Sequence, residues 1–267
     1  MAGGKRGTIR VGIGGWTYEP WRGVFYPEGL PHRRELEHAA GLLSAIEVNG
    51  TYYGAQKPET FARWHDETPE DFVFSLKAPR YATNRRVLAE AGPTIERFLS
   101  GGVMELKNKL GPINWQFMAT KAFDADDFAA FLKLLPARHE GRTLRHAVEV
   151  RHASFACPEF VALAREHGVA IVLAGDSEHP SIPDATADFA YVRIMGTSEG
   201  EPQGYDAAGL DRWARRARAL AAGKHAPGLK AIAGKADGVA RDVFLFVISG
   251  HKVANPAAAQ ALIGRLG

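Results

Sequence analysis

Eight short runs of β-branched and aromatic residues recur along the chain, and most are followed by a stretch with helical periodicity. That alternation constrains the fold more than any other feature, because β-α units repeated eight times specify a closed parallel sheet with helices outside it. The runs predict strands at Ile9–Gly15, Ala45–Thr51, Asp71–Ala78, Gly111–Met118, His146–Arg151, Val169–Ala174, Phe189–Met195 and Val243–Ser249. Helices are predicted over Arg33–Ser44, Pro58–Glu67, Asn84–Leu99, Asp124–Leu135, Pro158–His167, Asp206–Ala222 and Pro256–Leu266, with Gly92-Pro93 dividing the third into two pieces. The helix over Asp206–Ala222 carries the segment DRWARRARAL as a basic outer face. At 267 residues the chain suits one α/β barrel domain of the TIM type, (β/α)8, without internal repeats or a second domain.

Two units depart from the pattern. The sixth, Asp176–Asp188, contains Pro180 and Pro183 and is expected to lack a full helix. Before strand eight, Gly223–Asp242 is rich in Gly, Ala and Lys and reads as a mobile excursion.

Function classes are narrowed by composition. The formal charge is only +3, so any anionic partner must be argued from a local patch, although Arg supplies 22 of the 33 basic residues. One cysteine, Cys157, leaves no disulfide and no cysteine metal cluster, and the scattered His152, His179 and His251 form no close ligand pair. No metal or cofactor is expected. The absence of an apolar leader or long apolar run points to a cytoplasmic protein without a membrane partner.

Within the strands, polar residues occupy positions that a barrel interior normally fills with apolar ones. Alternation sets Glu47 and Asn49 against Ile46 and Val48, Ser75 and Lys77 against Phe74 and Leu76, and Asn114 and Gln116 against Ile113 and Trp115. It likewise sets Glu149 and Arg151 against Val148 and Val150, and Tyr191 and Arg193 against Val192 and Ile194. The helix-facing side must be apolar, so the polar set points inward, near the C-terminal ends where barrel enzymes work. Three cations (Lys77, Arg151, Arg193) then face two acids (Glu47, Glu149), leaving one positive charge for an anionic group, unless Asp176 after strand six balances the count. The competing reading is a self-neutralising ion network with no ligand.

Aromatic residues crowd the same end. Trp16, Tyr18, Trp21, Phe25 and Tyr26 follow strand one, Tyr52 and Tyr53 follow strand two, and Tyr81 lies beside Arg80, Arg85 and Arg86 after strand three. Such rings either plug the loop or form a wall that stacks on bases or sugars at ~1–3 kcal/mol per base.

Several segments together resemble the domain of unknown function 72 family, the YecE-like proteins. They are VGIGGWTYEPWRGVFYP, IEVNGTYYGAQKPETFARWHDETPEDFVFSLKAPR, LGPINWQF, AVEVRHASF and YVRIMG, spread in order over almost the whole chain. The resemblance implies a TIM-type barrel without an assigned activity, reminiscent of barrel endonucleases and of nucleic-acid binding. It marks Trp16, Tyr18, Trp21, Glu47, Asn49, Tyr52, Tyr53, Lys77, Gln116, Glu149, Arg151, His152 and Arg193 as motif positions. This chain departs from the family pattern at VISGHKVANPAAA after strand eight, at Thr83-Asn84 and at Met118-Ala119-Thr120.

Two principal functions follow. The first is a pocket that binds or transforms a phosphorylated or other anionic small molecule, as a hydrolase or lyase would. Arg151, Arg193 and Lys77 would clamp the anion, and Glu47 or Glu149 would act as general acid or base. Schiff-base chemistry at Lys77 is a variant of it. The second is a metal-poor, nuclease-like barrel binding single-stranded or damaged nucleic acid through its aromatic wall and Arg80. Glycoside hydrolysis by Glu47 and Glu149 ranks below both, since strands two and five lie three apart, which argues against the ~5–9.5 Å carboxylate separation it needs.

Overall fold

Hydrophobic alternation and turn residues produce all eight expected strands, with ends that differ by up to three residues. The computed structural model describes residues 7–234 and 236–267. Its barrel strands are β1 (Ile9–Gly14), β2 (Ala45–Val48), β3 (Val73–Lys77), β4 (Leu110–Gln116), β5 (His146–Glu149), β6 (Ala170–Gly175), β7 (Phe189–Ile194) and β8 (Asp242–Val247), and a small antiparallel pair joins Arg138–His139 to Arg142–Thr143. Each barrel strand pairs in parallel with its neighbours in sequence, and β8 pairs with β1 to close the barrel. β1 approaches β2 closely at Gly12, where a Cβ would lie 1.9 Å from the Ala45 carbonyl oxygen.

Seven longer helices wrap the sheet: α1 (Glu35–Leu42), α2 (Pro58–Asp66), α3 (Gly92–Leu99), α4 (Ala125–Lys133), α5 (Pro158–Glu166), α6 (Ala207–Ala221) and α7 (Asn255–Leu266). The third predicted helix is indeed broken, into a 3-10 turn over Leu88–Ala91 and then α3. Two starts are capped by acids: Asp124 accepts from the Asp127 N–H at 3.0 Å, and Asp206 from the Gly209 N–H at 2.7 Å. No described helix is long and apolar enough to cross a membrane.

Residues 176–188 contain no helix. The segment before β8 carries no helix or strand among the described residues, partly covers that gap and is tied down at several points. Asp184 accepts hydrogen bonds from the Ile232 and Ala233 N–H groups at 2.8 and 2.7 Å, and Arg165 donates to the Ala233 carbonyl at 3.1 Å. Arg216 does not belong to an exposed basic face. It lies buried over the Trp213 ring and donates to the Pro227 carbonyl at 3.1 Å. Lys235, within the same stretch, lies outside the described residues.

The floor of the barrel interior is apolar, built from Ala45, Val73, Ala147, Ala170, Phe189 and Phe244. Above it, residues of the same inward rows turn polar: Glu47 follows Ala45, Ser75 and Lys77 follow Val73, Glu149 follows Ala147, and Tyr191 and Arg193 follow Phe189. The hydrophobic effect thus secures the lower half. The upper half has to satisfy buried charges by pairing them.

Candidate functional site: a charged ring beneath the barrel mouth

Glu47 and Glu149 are both 0% exposed and lie across the barrel from β7. Arg193 of β7 spans them: its Nη2 donates to Glu47 Oε1 at 3.0 Å and its Nη1 donates to Glu149 Oε2. Arg151, just past β5, donates to Glu149 Oε1 through Nε at 3.0 Å and Nη2 at 2.8 Å. Asn114 Nδ2 donates to Glu149 Oε2 at 3.3 Å. The Tyr191 hydroxyl donates to Glu47 Oε2 at 2.6 Å and meets the Ser75 hydroxyl at 2.7 Å. All four carboxylate oxygens are therefore occupied.

The electrostatics follow from burial against charge. Burial pushes the Glu149 carboxyl up, but the cations of Arg193, Arg151 and Lys77 outweigh it and bring the group down to about 2. For Arg193, burial disfavours the charged form, and the carboxylates of Glu149 and Glu47 reverse that and hold it protonated. Burial and the adjacent Glu47 raise Tyr191 well above the ordinary phenol range. In this ligand-free arrangement Glu47 and Glu149 are buried with every carboxylate oxygen hydrogen-bonded, so general acid or base work by either would require one of these bonds to open. The objection to a glycosidase also changes. One guanidinium bridges the two carboxylates, so separation is no obstacle; their committed oxygens are.

Lys77 is the cation left over. It ends β3, is 7% exposed, and its Nζ lies 4.3 Å from the centroid of the Tyr52 ring. Among the described residues its Nζ makes no hydrogen bond or ion pair, because the ring's carboxylates are bonded elsewhere. Burial, then the Arg193 charge, lower the Lys77 amine to about 8 against the pull of Glu47 and Glu149. Locally, the one-turn helix Gly50–Tyr53 seats it: Thr51 Oγ1 donates to the Lys77 carbonyl at 2.7 Å, placing the next residue, Tyr52, under the amine. Beside Lys77 in register is Asn114, whose Oδ1 is buried without a partner, as is Gln116 Nε2 two residues on.

The aromatic loop divides between the two roles weighed for it. Trp21 and Tyr26 are buried: Trp21 Nε1 donates to the Lys252 carbonyl at 2.9 Å, and the Tyr26 hydroxyl donates to the Trp16 carbonyl at 2.5 Å. Trp16 and Tyr18 are half-buried and, with Asn49, Tyr53 and Lys252, line a cavity of ≈ 450 Å³ by the ends of β1 and β2, whose lining includes none of the ring's charged residues. Tyr53 and Tyr81 stand exposed on a second groove of ≈ 470 Å³, which Tyr52 and Arg85 also line, and Arg80 packs over Tyr81 at 5.3 Å.

Two remaining candidates do not join the ring. Asp176 adopts a left-handed backbone (φ 52°) and accepts from Trp213 Nε1 at 2.7 Å, so it does not balance the three cations. His152 caps the 3-10 turn Ala153–Phe155 by accepting from the Ser154 N–H at 3.2 Å. Lys252, which is not among the motif positions, lies over the Tyr18 ring at 4.1 Å in the cavity wall. His179 reads in the sequence as an isolated histidine. Burial lowers its imidazole, and so does the charge of Arg151, which brings it within electrostatic reach of the ring. Their position just after strand ends was the available signal in both cases.

A closed parallel eight-stranded barrel with its charged residues gathered at the C-terminal mouth belongs to the TIM-type class of α/β barrels. Within that class, the model of the family described as "Protein of unknown function DUF72" matches residues 10–267, and the chain belongs to that family. The UPF0759 protein YecE of Escherichia coli strain K12 is 29% identical over 150 residues, or 55% of this chain and 50% of that protein. The match thus spans about half the length of the curated relatives. A DUF72 family protein of Thermotoga maritima superposes with a TM-score of 0.72 at 22% identity, covering 96% of this chain and 97% of that one. One from Enterococcus faecalis gives 0.70 at 19% identity, covering 97% and 95%. At these identities the likeness establishes the barrel, not an activity.

Proposed function

We propose that the mouth binds, as the first step of binding or transforming it, a phosphorylated or otherwise anionic small molecule, with Lys77 as the cation that meets the anion. The observation that carries this reading is the unpaired Lys77 amine above a ring whose acids are already taken. Three cations against two acids leave the mouth positive, and an arriving anion supplies the missing charge without displacing an existing ion pair. Arg151 is half-buried and uses only Nε and Nη2 on Glu149, which leaves Nη1 as a second donor. Gln116 Nε2, which lies close enough to Glu149 to help keep it ionised, offers a neutral one. Tyr52 supplies an apolar wall directly against the Lys77 amine.

A hydrogen bond to a charged group is worth about 1.5–3 kcal/mol, so Lys77→Met should weaken phosphate binding roughly 10- to 150-fold. Isothermal titration with inorganic phosphate and sulfate tests this. Equal affinity in wild type and variant, or no binding by either, would sink the reading.

A second reading is favoured by one specific feature, the exposed pair Tyr53 and Tyr81 at 65% and 63%, flanked by Arg80 and Arg85 on the groove. It takes the face as a stacking platform for single-stranded nucleic acid. Anisotropy of a labelled oligonucleotide should then fall steeply with salt and drop in Tyr81→Ala; a salt-indifferent signal rejects it.

A further inference from the structure

We propose that Lys77 is a nucleophile, condensing with the carbonyl carbon of a phosphorylated or carboxylated ketone or aldehyde held at the barrel mouth. This deepens the anion-site reading and rests on it: once the anionic group has passed to Arg151 Nη1, the Lys77 amine is free to lose its proton and face the carbonyl carbon. Four features of the site converge on the inference.

First, a lysine bonded to a carboxylate is locked as its ammonium form, and here both available carboxylates are withdrawn. Arg193 and Arg151 occupy Glu149, and Arg193 and Tyr191 occupy Glu47. Second, the stem is enclosed: Lys77 is 7% exposed and its amine lies 4.3 Å from the centroid of the Tyr52 ring, so fewer positions are open to it than to a surface lysine. Third, the adjoining row on β4 carries polar atoms without partners, Asn114 Oδ1 and Gln116 Nε2, both on side chains no more than 5% exposed. The amide nitrogen of Gln116 can donate to a carbonyl oxygen as negative charge develops on it. Fourth, burial and the neighbouring Arg193 bring the amine to about 8 from its ordinary 10.5, despite the Tyr52 ring, which favours the cation. At neutral pH that raises the free-amine fraction roughly 300-fold.

The step balances without an oxidant or reductant. The Nζ lone pair attacks the carbonyl carbon, forming a C–N bond while the carbonyl π pair moves to oxygen. One Nζ proton passes to that oxygen to give a carbinolamine. The second follows as the C–O bond breaks, water leaves and the C=N bond closes.

The full-length protein is incubated with dihydroxyacetone phosphate, pyruvate or acetone in the presence of sodium cyanoborohydride, and adducts are read by intact mass and peptide mapping. The expected result is a single adduct on Lys77, forming at least about tenfold faster with the charged ketones than with acetone. Its rate should rise with pH through a midpoint near 8. Lys77→Met should show no adduct with an unchanged melting temperature. If that variant misfolds, the pH profile and peptide map of the wild type still decide. Labelling spread over surface lysines, or a midpoint near 10, overturns the proposal. Phosphate titration run in parallel separates the two readings: phosphate binding without an adduct removes only the nucleophile, whereas neither removes both.

Discussion

Replacing Arg193 by methionine should be the most damaging single change in the barrel interior. Among the described residues its guanidinium is the one group bonded to both buried glutamates. Without it Glu149 keeps Arg151 and Asn114, but Glu47 retains only the Tyr191 hydroxyl, inside a site where neither acid is exposed. Breaking a buried pair from one side costs about 3–5 kcal/mol, because the remaining charge has lost its compensation. At roughly 2–4 °C per kcal/mol for a chain of this size, the melting temperature should fall by roughly 6–20 °C. Circular dichroism melts and urea midpoints measure it. Adding Glu47→Gln to Arg193→Met removes the stranded charge and should recover about 1 kcal/mol or more. A loss under about 1 kcal/mol, the range of exposed pairs, would mean that water already reaches the ring, and the argument for a dry, preorganised mouth would fail. The same variant carries a functional readout. Arg193 is the largest charge contribution lowering the Lys77 amine, so its removal should move the cyanoborohydride-trapping midpoint upward in pH.

Two further outcomes test the framework around the site. His146 accepts from Trp115 Nε1 at 3.1 Å and donates to the Pro136 carbonyl at 2.9 Å, and burial lowers it from 6.5 to about 4. The unfolded chain therefore takes up this proton first, so stability falls by up to roughly 3 kcal/mol as pH drops from 6.5 to 4; an NMR titration of His146 with a midpoint above 6 contradicts it. Asp184→Ala should orphan the Ile232 and Ala233 N–H groups, cost about 2 kcal/mol, and speed tryptic cleavage at Lys224 or Lys230; an unchanged cleavage rate rejects that anchor.

Local chemistry made the barrel legible. Alternating Val, Ile and Phe define each strand, and errors cluster at the ends: the run predicted as Ala45–Thr51 stops at Val48 because Gly50–Tyr53 coils into a helical turn. The same alternation correctly turns Glu47, Lys77, Glu149 and Arg193 inward. The partners were not legible, since they depend on how a closed sheet brings distant strands face to face. Tyr191 meets Glu47 across 144 residues of sequence. Asp176 looked like a counterion for the ring until a left-handed backbone turned its carboxylate toward Trp213. The excursion before β8 looked loose because its composition is small and polar, while its anchors, Asp184, Arg165 and Arg216, lie elsewhere in the chain.

Counting charges predicted one surplus cation but not which one, and the side-chain shapes explain the outcome. An arginine presents a planar fork, so Arg193 can satisfy two carboxylates at once and Arg151 can grip one oxygen with two donors. A lysine offers a single rotating ammonium and gains less from the same acids. The fork-shaped cations therefore win the carboxylates, and Lys77 is left against the face of Tyr52, beside two permanent positive charges that make its own proton easier to lose. The ring thus has a consequence beyond holding the barrel together. By consuming its acids internally, it leaves an amine at the mouth that has been weakened as a base and kept free of an ion pair, the two conditions a lysine needs before it can act as a nucleophile near neutral pH.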